Sequence, residues 1–143
     1  MKLVNKKAYF DYHVLETWIA GIVLKGTEIK SVRLNDLNFS ESFAYINNGE
    51  IFVRGIHIAL YAQGSYNNHI PDRERKLLLK KKEIKKIENS IDQGITLKLL
   101  SIFINERGKC KVLVGLCKGK KNYDKKNTII EKEMKKMIKN EGL

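Results

Sequence analysis

The sequence predicts a mainly β fold with two or three flanking helices and a basic C-terminal tail. Short runs rich in β-branched and aromatic residues recur up to residue 118, and two pairs of them are joined by turn sequences. Strand signals end near Gly119. A small strand-rich chain must cover its sheet edges, so we expect the strands to close into an OB-like antiparallel β-barrel.

The first elements are a strand and a short helix. Residues 8–26 are rich in aromatic and β-branched residues, and the apolar run from Trp18 to Leu24 suits a strand that enters a core. Residues 26–36 predict a helix in which Thr27 caps the first turn and Glu28 lies within that turn.

A hairpin and a loop follow. Residues 42–56 predict a β-hairpin, because Asn48 and Gly49 tolerate the positive φ angles that a tight turn requires. Residues 61–72 hold a glycine, two asparagines and the one proline of the chain, which favours a loop.

The second half of the chain predicts a helix and another hairpin. Ile84, Ile87 and Ile91 recur at helical spacing, and Gly94 ends the segment. Residues 95–105 and 110–118 then form two strands around residues 105–109. The second strand alternates between its two faces, with one face formed by Cys110, Val112, Val114 and Leu116.

The cysteines and histidines indicate no disulfide and no metal site. Cys110 and Cys117 are seven residues apart in one predicted strand, so their side chains point to opposite faces. The three histidines have no regular ligand spacing relative to them. We therefore expect two small buried thiols and neither a metal nor a cofactor.

Charge indicates a polyanionic partner. Lys and Arg total 28 against 16 Asp and Glu, a formal net charge of +12, so nucleic acid, an anionic membrane and an acidic protein are the candidates. The start has no sustained apolar segment, and no stretch approaches the roughly 20 apolar residues of a membrane span. We expect a cytoplasmic protein without a membrane partner.

Catalytic constellations are not recognisable in the sequence. No nucleophile with a base, carboxylate pair or metal set has a characteristic spacing, and the glycines near residue 119 lack the pattern of a phosphate-binding loop. We expect that the protein is not an enzyme.

Basic residues cluster after the loop. Arg73 and Arg75 are two residues apart in an extended segment, so both side chains point to the same side, where guanidinium forks match phosphate geometry. Lysines follow at positions 76, 80, 81 and 82. For any single lysine the alternative is the charged outer face of a soluble helix.

A similar mixture occurs at the N-terminus. Lys6 and Lys7 precede Tyr9, Phe10 and Tyr12, a combination that suits phosphate contacts and stacking on exposed bases. The alternative is that these aromatic residues belong to the core or cover it.

Four separated motifs resemble one protein family. The segments "NKKAYFDY", "AGIVLKGTEIKS", "DRERKLLLKKKEI" and "KVLVGLCKGKKNYDKK" occur in the order and spacing of the SsrA-binding protein family, also called small protein B. The resemblance extends over residues 5–126. It implies an OB-like RNA-binding barrel over residues 1–118 and a basic tail over 119–143.

The resemblance also implies a function. Family members bind the tRNA-like domain of transfer-messenger RNA and deliver that RNA to stalled ribosomes, in the process called trans-translation. The implied partners are transfer-messenger RNA, the stalled ribosome with its small-subunit ribosomal RNA, and elongation factor Tu through the RNA complex. Size, charge and barrel alone leave one alternative, a structural ribosome-associated RNA-binding protein.

Motif by motif, the resemblance implies two sets of RNA-binding residues. Glu28 either accepts hydrogen bonds from RNA or positions Lys30 or Arg33. The barrel set is Asn5, Lys6, Lys7, Glu28, Lys30, Arg33, Arg73, Arg75, Lys76, Leu78 and Lys80. The tail set, expected at the decoding centre and in the messenger channel, is Lys118, Lys120, Lys121, Tyr123, Asp124, Lys125 and Lys126.

Residues 127–143 carry an amphipathic pattern. Ile130, Met134, Met137 and Ile138 fall on one helical face, with lysines largely elsewhere. A lone helix of this length is marginal in water, so we expect it to be disordered alone and to become helical on the ribosome. The alternative is a helix packed on its own barrel.

Three positions depart from the family pattern. Ile19 replaces a glutamate implicated in RNA binding, Lys80 replaces a histidine or asparagine, and Lys126 replaces an arginine. Lysine supplies charge but lacks the planar fork of arginine, so the tail contacts are expected to be weaker or less oriented.

Overall fold

The computed structural model describes residues 2–64, 68–91, 94–121 and 126. Within these residues the helices are α1 Lys6–Asp11, α2 Gly26–Arg33 and α3 Lys81–Ser90. The strands are β1 Lys2–Val4, β2 Tyr12–Ile22, β3 Leu37–Asn38, β4 Phe43–Asn47, β5 Glu50–Arg54, β6 His57–Ile58, β7 Arg75–Leu78, β8 Ile95–Ile104 and β9 Cys110–Gly119. The predicted mainly β fold with a few helices is confirmed.

Seven strands form one antiparallel sheet in the order β1-β8-β4-β5-β7-β2-β9. Strand β8 also pairs with β9, from Ile95 opposite Lys118 to Ile104 opposite Cys110. The pairing thus runs from β8 through β4, β5, β7, β2 and β9 and returns to β8. Strands β3 and β6 form a separate two-stranded sheet.

The inner side chains of these strands form the main core. The face of β9 predicted from its alternation, Cys110 to Leu116, lies in this core. Cys117 belongs instead to a second cluster with Ala8 and Leu100. The two cysteines are therefore free thiols on different faces, as predicted, and burial raises the pKa of each to about 11.

Helix α1 corrects the prediction of a strand from residue 8. Asn5 caps it, since its Oδ1 accepts a hydrogen bond of 3.0 Å from the Ala8 N–H. The Asn5 side-chain amide also donates to the Leu99 carbonyl at 2.9 Å, which anchors the helix start to β8. The helix lies over the second cluster, against Leu100 and Cys117.

Helix α2 begins as predicted but has a different cap. Glu28 Oε1 accepts a hydrogen bond of 2.7 Å from the Lys25 N–H. Thr27, the predicted cap, instead places its hydroxyl 2.8 Å from His69 Nδ1. The Thr27 prediction was wrong because the hydroxyl has a tertiary partner 42 residues away.

Both predicted hairpins and the third helix are present. Asn48 and Gly49 adopt φ angles of 52° and 75° in the turn between β4 and β5. In α3, Ile84 and Ile87 are buried in the main core. Ile91 lies at the end of that helix and is 40% exposed, so it contributes less than its spacing predicted.

A buried carboxylate connects α2 with β7. Glu28 has no exposed surface, and its oxygens lie 2.5 Å from Arg73 Nη2 and 2.5 Å from Arg75 Nε. Arg75 continues to the carbonyls of Ile56 and Pro71, each at 2.9 Å. We call Glu28, Arg73 and Arg75 the buried charge cluster.

The cluster also determines the charge state of its carboxylate. Burial alone would raise the pKa of Glu28, but hydrogen bonds from Arg73, the Lys25 N–H and Arg75 outweigh it and hold the pKa below its ordinary value of 4.5. Because the folded-state pKa lies below the unfolded one, this stabilisation is complete above about pH 4.5 and is lost as pH falls through the folded value.

The substitution Glu28→Gln tests the cluster. A glutamine leaves two guanidiniums without a balancing charge, so we expect the free energy of unfolding at pH 7 to fall by about 3 kcal/mol. Urea unfolding at several pH values measures this. The deficit should narrow as the pH falls below 4.5, because the wild-type carboxylate is then protonated.

Glu16→Gln is the matched control. Glu16 pairs with Lys86 at 2.7 Å on the surface, and such pairs contribute less than about 1 kcal/mol. A Glu28→Gln deficit that equals the control's, or that is constant from pH 7 to pH 3, would contradict the role given to the cluster.

Candidate nucleic-acid interface

Three of the predicted RNA-binding residues are buried. Asn5 holds α1 on β8, and Glu28 and Arg75 belong to the buried charge cluster. Glu28 positions Arg73 and Arg75, whereas the sequence suggested Lys30 or Arg33. The interior location of these side chains argues against direct contact with RNA.

The buried position of Arg75 corrects the interpretation of its spacing. Two residues apart, Arg73 and Arg75 do point to the same side, but their shared anion is Glu28. Arg75 makes its remaining hydrogen bonds to backbone carbonyls of the chain. Arg73 is partly exposed and also donates to the Val23 carbonyl at 3.2 Å.

The exposed predicted residues fall into two groups, one at each end of β2. At the Ile22 end, Gly21 pairs with Leu78 on one side and with Lys111 on the other. Arg33 Nη2 donates to the Gly108 carbonyl at 3.4 Å, which places α2 beside the β8–β9 turn. We call this group the first cationic face: Lys30, Arg33, Lys76, Leu78, Lys109 and Lys111.

An aromatic ring accompanies this face. The Lys30 ammonium lies 5.3 Å from the centre of the Tyr61 ring, and Asn68 holds the Tyr61 backbone through two hydrogen bonds of 2.8 and 3.3 Å. Lys76 is 3.3 Å from Glu50, a surface pair that leaves the lysine half exposed.

The Tyr12 end carries the other group. Tyr12 pairs with Gly119, the Lys120 N–H donates to the Asp11 carbonyl at 2.8 Å, and the Lys98 ammonium lies 5.2 Å from the Tyr12 ring centre. These contacts bring the end of β9 beside α1. We call this group the second cationic face: Lys6, Lys7, Lys98, Lys118, Lys120 and Lys121.

Lys7 on this face is engaged with the neighbouring loop. Its ammonium forms an ion pair and a hydrogen bond with Glu41. The hydrogen bond, aided by the charge of Glu41, raises the pKa of Lys7 above its ordinary value of 10.5. Lys7 therefore stays cationic at any physiological pH.

The length of β2 separates the two faces. The strand has eleven residues, and at about 3.3 Å per residue it spans about 33 Å. The sequence motifs did not reveal this division, nor the contributions of Lys98, Lys109 and Lys111. A signal for these lysines was present, because each is next to a residue predicted to face the core.

Some predicted positions lie elsewhere. Lys80 precedes α3 and is exposed, and Lys126 is exposed. Tyr123, Asp124, Lys125 and residues 127–143 lie outside the described residues. The structure therefore does not test the predicted tail contacts.

Two further features concern other classes of function. In the described part of the chain, no group of three or more histidine, cysteine, aspartate or glutamate residues could hold a metal ion. Among the same residues, no helix is both long enough and apolar enough to cross a membrane.

Known proteins share this sequence and architecture. Residues 2–142 match the family model described as SmpB protein. The SsrA-binding protein of Bacteroides thetaiotaomicron is 50% identical over 134 residues, which cover 93% of this chain and 89% of that one. The SsrA-binding protein of Thermosipho africanus is 46% identical over 141 residues, covering 96% and 95%.

A solved structure agrees with these sequence relatives. It is described as "tmRNA-SmpB: a journey to the center of the bacterial ribosome", and it superposes with a TM-score of 0.71 at 46% identity. The match covers 90% of this chain and 94% of the other. With the family model matched over residues 2–142, the chain belongs to the SmpB family of SsrA-binding proteins.

Proposed function

We propose that this protein binds the tRNA-like domain of transfer-messenger RNA and delivers that RNA to stalled ribosomes for trans-translation. Membership of the SsrA-binding protein family over nearly the whole chain carries this conclusion. The 46% identical structure, described as transfer-messenger RNA with SmpB in the bacterial ribosome, supports the same partners.

The two cationic faces support recognition of a folded RNA. They lie about 33 Å apart along β2, so one compact RNA can meet lysines at both ends while a short hairpin reaches one. Folded RNA is recognised mostly through phosphates and 2′-hydroxyls, for which ammonium and guanidinium donors are suited. Tyr61 and Tyr12 add aromatic surface beside Lys30 and Lys98.

The cyclic strand pairing supports a finer description of the fold. We infer that β8, β4, β5, β7, β2 and β9 close an OB-like barrel. In this division residues 1–118 are the RNA-binding barrel and residues 119–143 are the tail. Strand β9 extends to Gly119, one residue beyond that boundary.

The tail and the remaining partners complete the proposal. The lysine-rich segment from Lys118 onward contacts small-subunit ribosomal RNA, and elongation factor Tu joins through the shared RNA. Residues 119–143 are disordered alone and become helical in the messenger channel, where lysines meet phosphates. The complex acts in the cytoplasm, and the protein contributes binding rather than catalysis.

Affinity for the cognate RNA is the direct test. We expect a nanomolar dissociation constant for transfer-messenger RNA and far weaker binding to an unrelated hairpin of equal length, measured by filter binding at fixed salt. Equal affinities would contradict the proposal. Stoichiometric retention on actively translating ribosomes after a high-salt wash would favour a structural ribosome component instead.

Truncation after residue 126 tests the division of labour between barrel and tail. Because the two cationic faces remain, we expect transfer-messenger RNA binding within about twofold of the full chain. Peptide tagging on stalled ribosomes in a reconstituted translation system should fail, because the messenger channel is left empty. Loss of RNA binding in the truncated protein would show that the division is wrong.

Salt dependence tests the first cationic face. The double variant Arg33→Ala with Lys109→Ala removes two exposed cations, so the slope of log affinity against log salt should fall by about one for each phosphate contact. Lys82→Ala with Lys85→Ala on α3 is the control, since both are exposed and lie outside the two faces. Equal slopes in the two double variants would exclude specific phosphate contacts at Arg33 and Lys109.

A further inference from the structure

An apolar groove lies on the outer side of the sheet, beside α1. Helix α1 covers this side at Leu100 and Cys117, and beyond the helix the surface is open. The groove has a volume of about 380 Å³. It is lined by Lys2, Ile19, Ser101, Phe103, Ile104 and Leu113, none of which is acidic.

Strand register arranges the groove in two rows. Ile19 pairs with Leu113, Leu113 with Ser101, and Ser101 with Val4, so these residues form one row across four strands. Ile19 is 62% exposed and Val4 47%. In the next row Phe103 lies between Lys111 and Lys2. The groove thus combines apolar side chains with an ammonium group on either side of Phe103.

Ser101 is the second, independent feature of the groove. The β8–β9 register shifts between Leu99 and Ser101, next to the outward-facing Leu100. Ser101 is 2% exposed, and its hydroxyl oxygen has no hydrogen-bond partner among the described residues. Buried hydroxyls are normally paired, so an unpaired one that lines an open groove indicates a ligand with a polar edge.

These properties together define the chemistry of the occupant. Apolar side chains suit the face of a planar ring, a hydroxyl suits the polar edge of that ring, and flanking ammonium groups suit a phosphate. An unpaired nucleotide carries all three. A purely apolar peptide segment would leave the Ser101 hydroxyl without a partner.

The groove is also continuous with the first cationic face. Lys111 pairs with Gly21, which in turn pairs with Leu78, and a side chain at Gly21 would come within 3.3 Å of Leu78 Cβ. A strand of RNA that contacts Lys111 on this face is therefore one residue row away from Ile19 and Leu113.

We propose that the groove receives one unpaired nucleobase of the bound RNA. The ring packs against Ile19, Leu113 and Phe103, its edge hydrogen-bonds to the Ser101 hydroxyl, and the adjoining phosphate lies near Lys2 or Lys111. This inference rests on the proposed RNA-binding function, but its first test does not depend on that function.

The first test titrates the full-length protein with adenosine monophosphate and follows backbone amide resonances by NMR. We expect shifts at Ile19, Ser101 and Leu113 that inorganic phosphate alone does not produce. Equal shifts with phosphate, or none with the nucleotide, would overturn the proposal. Concentration-dependent shifts of the same amides without ligand would assign the groove to a second copy of the chain and overturn it as well.

Two variants then distinguish the groove from the general RNA surface. Ser101→Ala removes one hydrogen bond and Ile19→Ala removes exposed apolar surface, so each should weaken adenosine monophosphate binding about three- to tenfold. Leu15→Ala is the control, because Leu15 is exposed on the same strand but does not line the groove. Nucleotide binding by the two groove variants equal to that of the control would contradict the assignment.

Chemical probing of unpaired bases in the transfer-messenger RNA complex is the final arm. Wild-type protein should protect at least one unpaired base, and Ser101→Ala should lose that protection while the other protections and the salt slope persist. Unchanged protection in a variant that still binds the RNA would refute the base contact. Nucleotide binding by a protein that fails to bind transfer-messenger RNA would refute the proposed function and leave the groove standing.

Discussion

The surface that faces RNA depends on one buried interaction, the carboxylate of Glu28 between the guanidiniums of Arg73 and Arg75. It joins the start of α2 to β7, and Arg73 extends the link to the end of β2 through the Val23 carbonyl. An unpaired charge at this depth costs several kcal/mol, so all three groups must stay together. The three elements that carry the first cationic face are thereby held in one arrangement.

This organisation gives conserved-looking motifs two different physical tasks. Lys30 and Arg33 follow Glu28 within α2 and are exposed, whereas Glu28 itself points inward and fixes the helix. The same division holds at the N-terminus, where Asn5 anchors α1 and Lys6 is exposed. RNA-binding surface and its structural support thus alternate along the same short segments.

Long strands then distribute the charge. Because β2 and β9 pair along most of their length, the lysines of α1 and those of the β8–β9 turn are held at opposite ends of one rigid ladder. A net charge of +12 attracts any polyanion, but a fixed separation of about 33 Å favours a folded RNA of matching size. The apolar groove at Ile19 adds a contact that charge alone does not provide.

Local chemistry was sufficient to predict the hairpins, helix α3 and the core face of β9. A turn at Asn48 and Gly49 needs positive φ angles, and the alternation of β9 needs one buried side, so both follow from nearest neighbours. Family resemblance added the RNA partner. By contrast, α1 was missed because the contact that anchors its cap joins Asn5 to a carbonyl 94 residues away.

The clearest contrast is at Arg73 and Arg75. Their two-residue spacing predicts that the side chains point together, and they do, since this follows from the backbone of an extended segment. Whether they point to RNA or into the protein depends on the location of Glu28, 45 and 47 residues earlier in the chain. Charge, alternation and turns are properties of neighbouring residues, but burial of an ion is a property of the whole fold, because it needs a partner from another element.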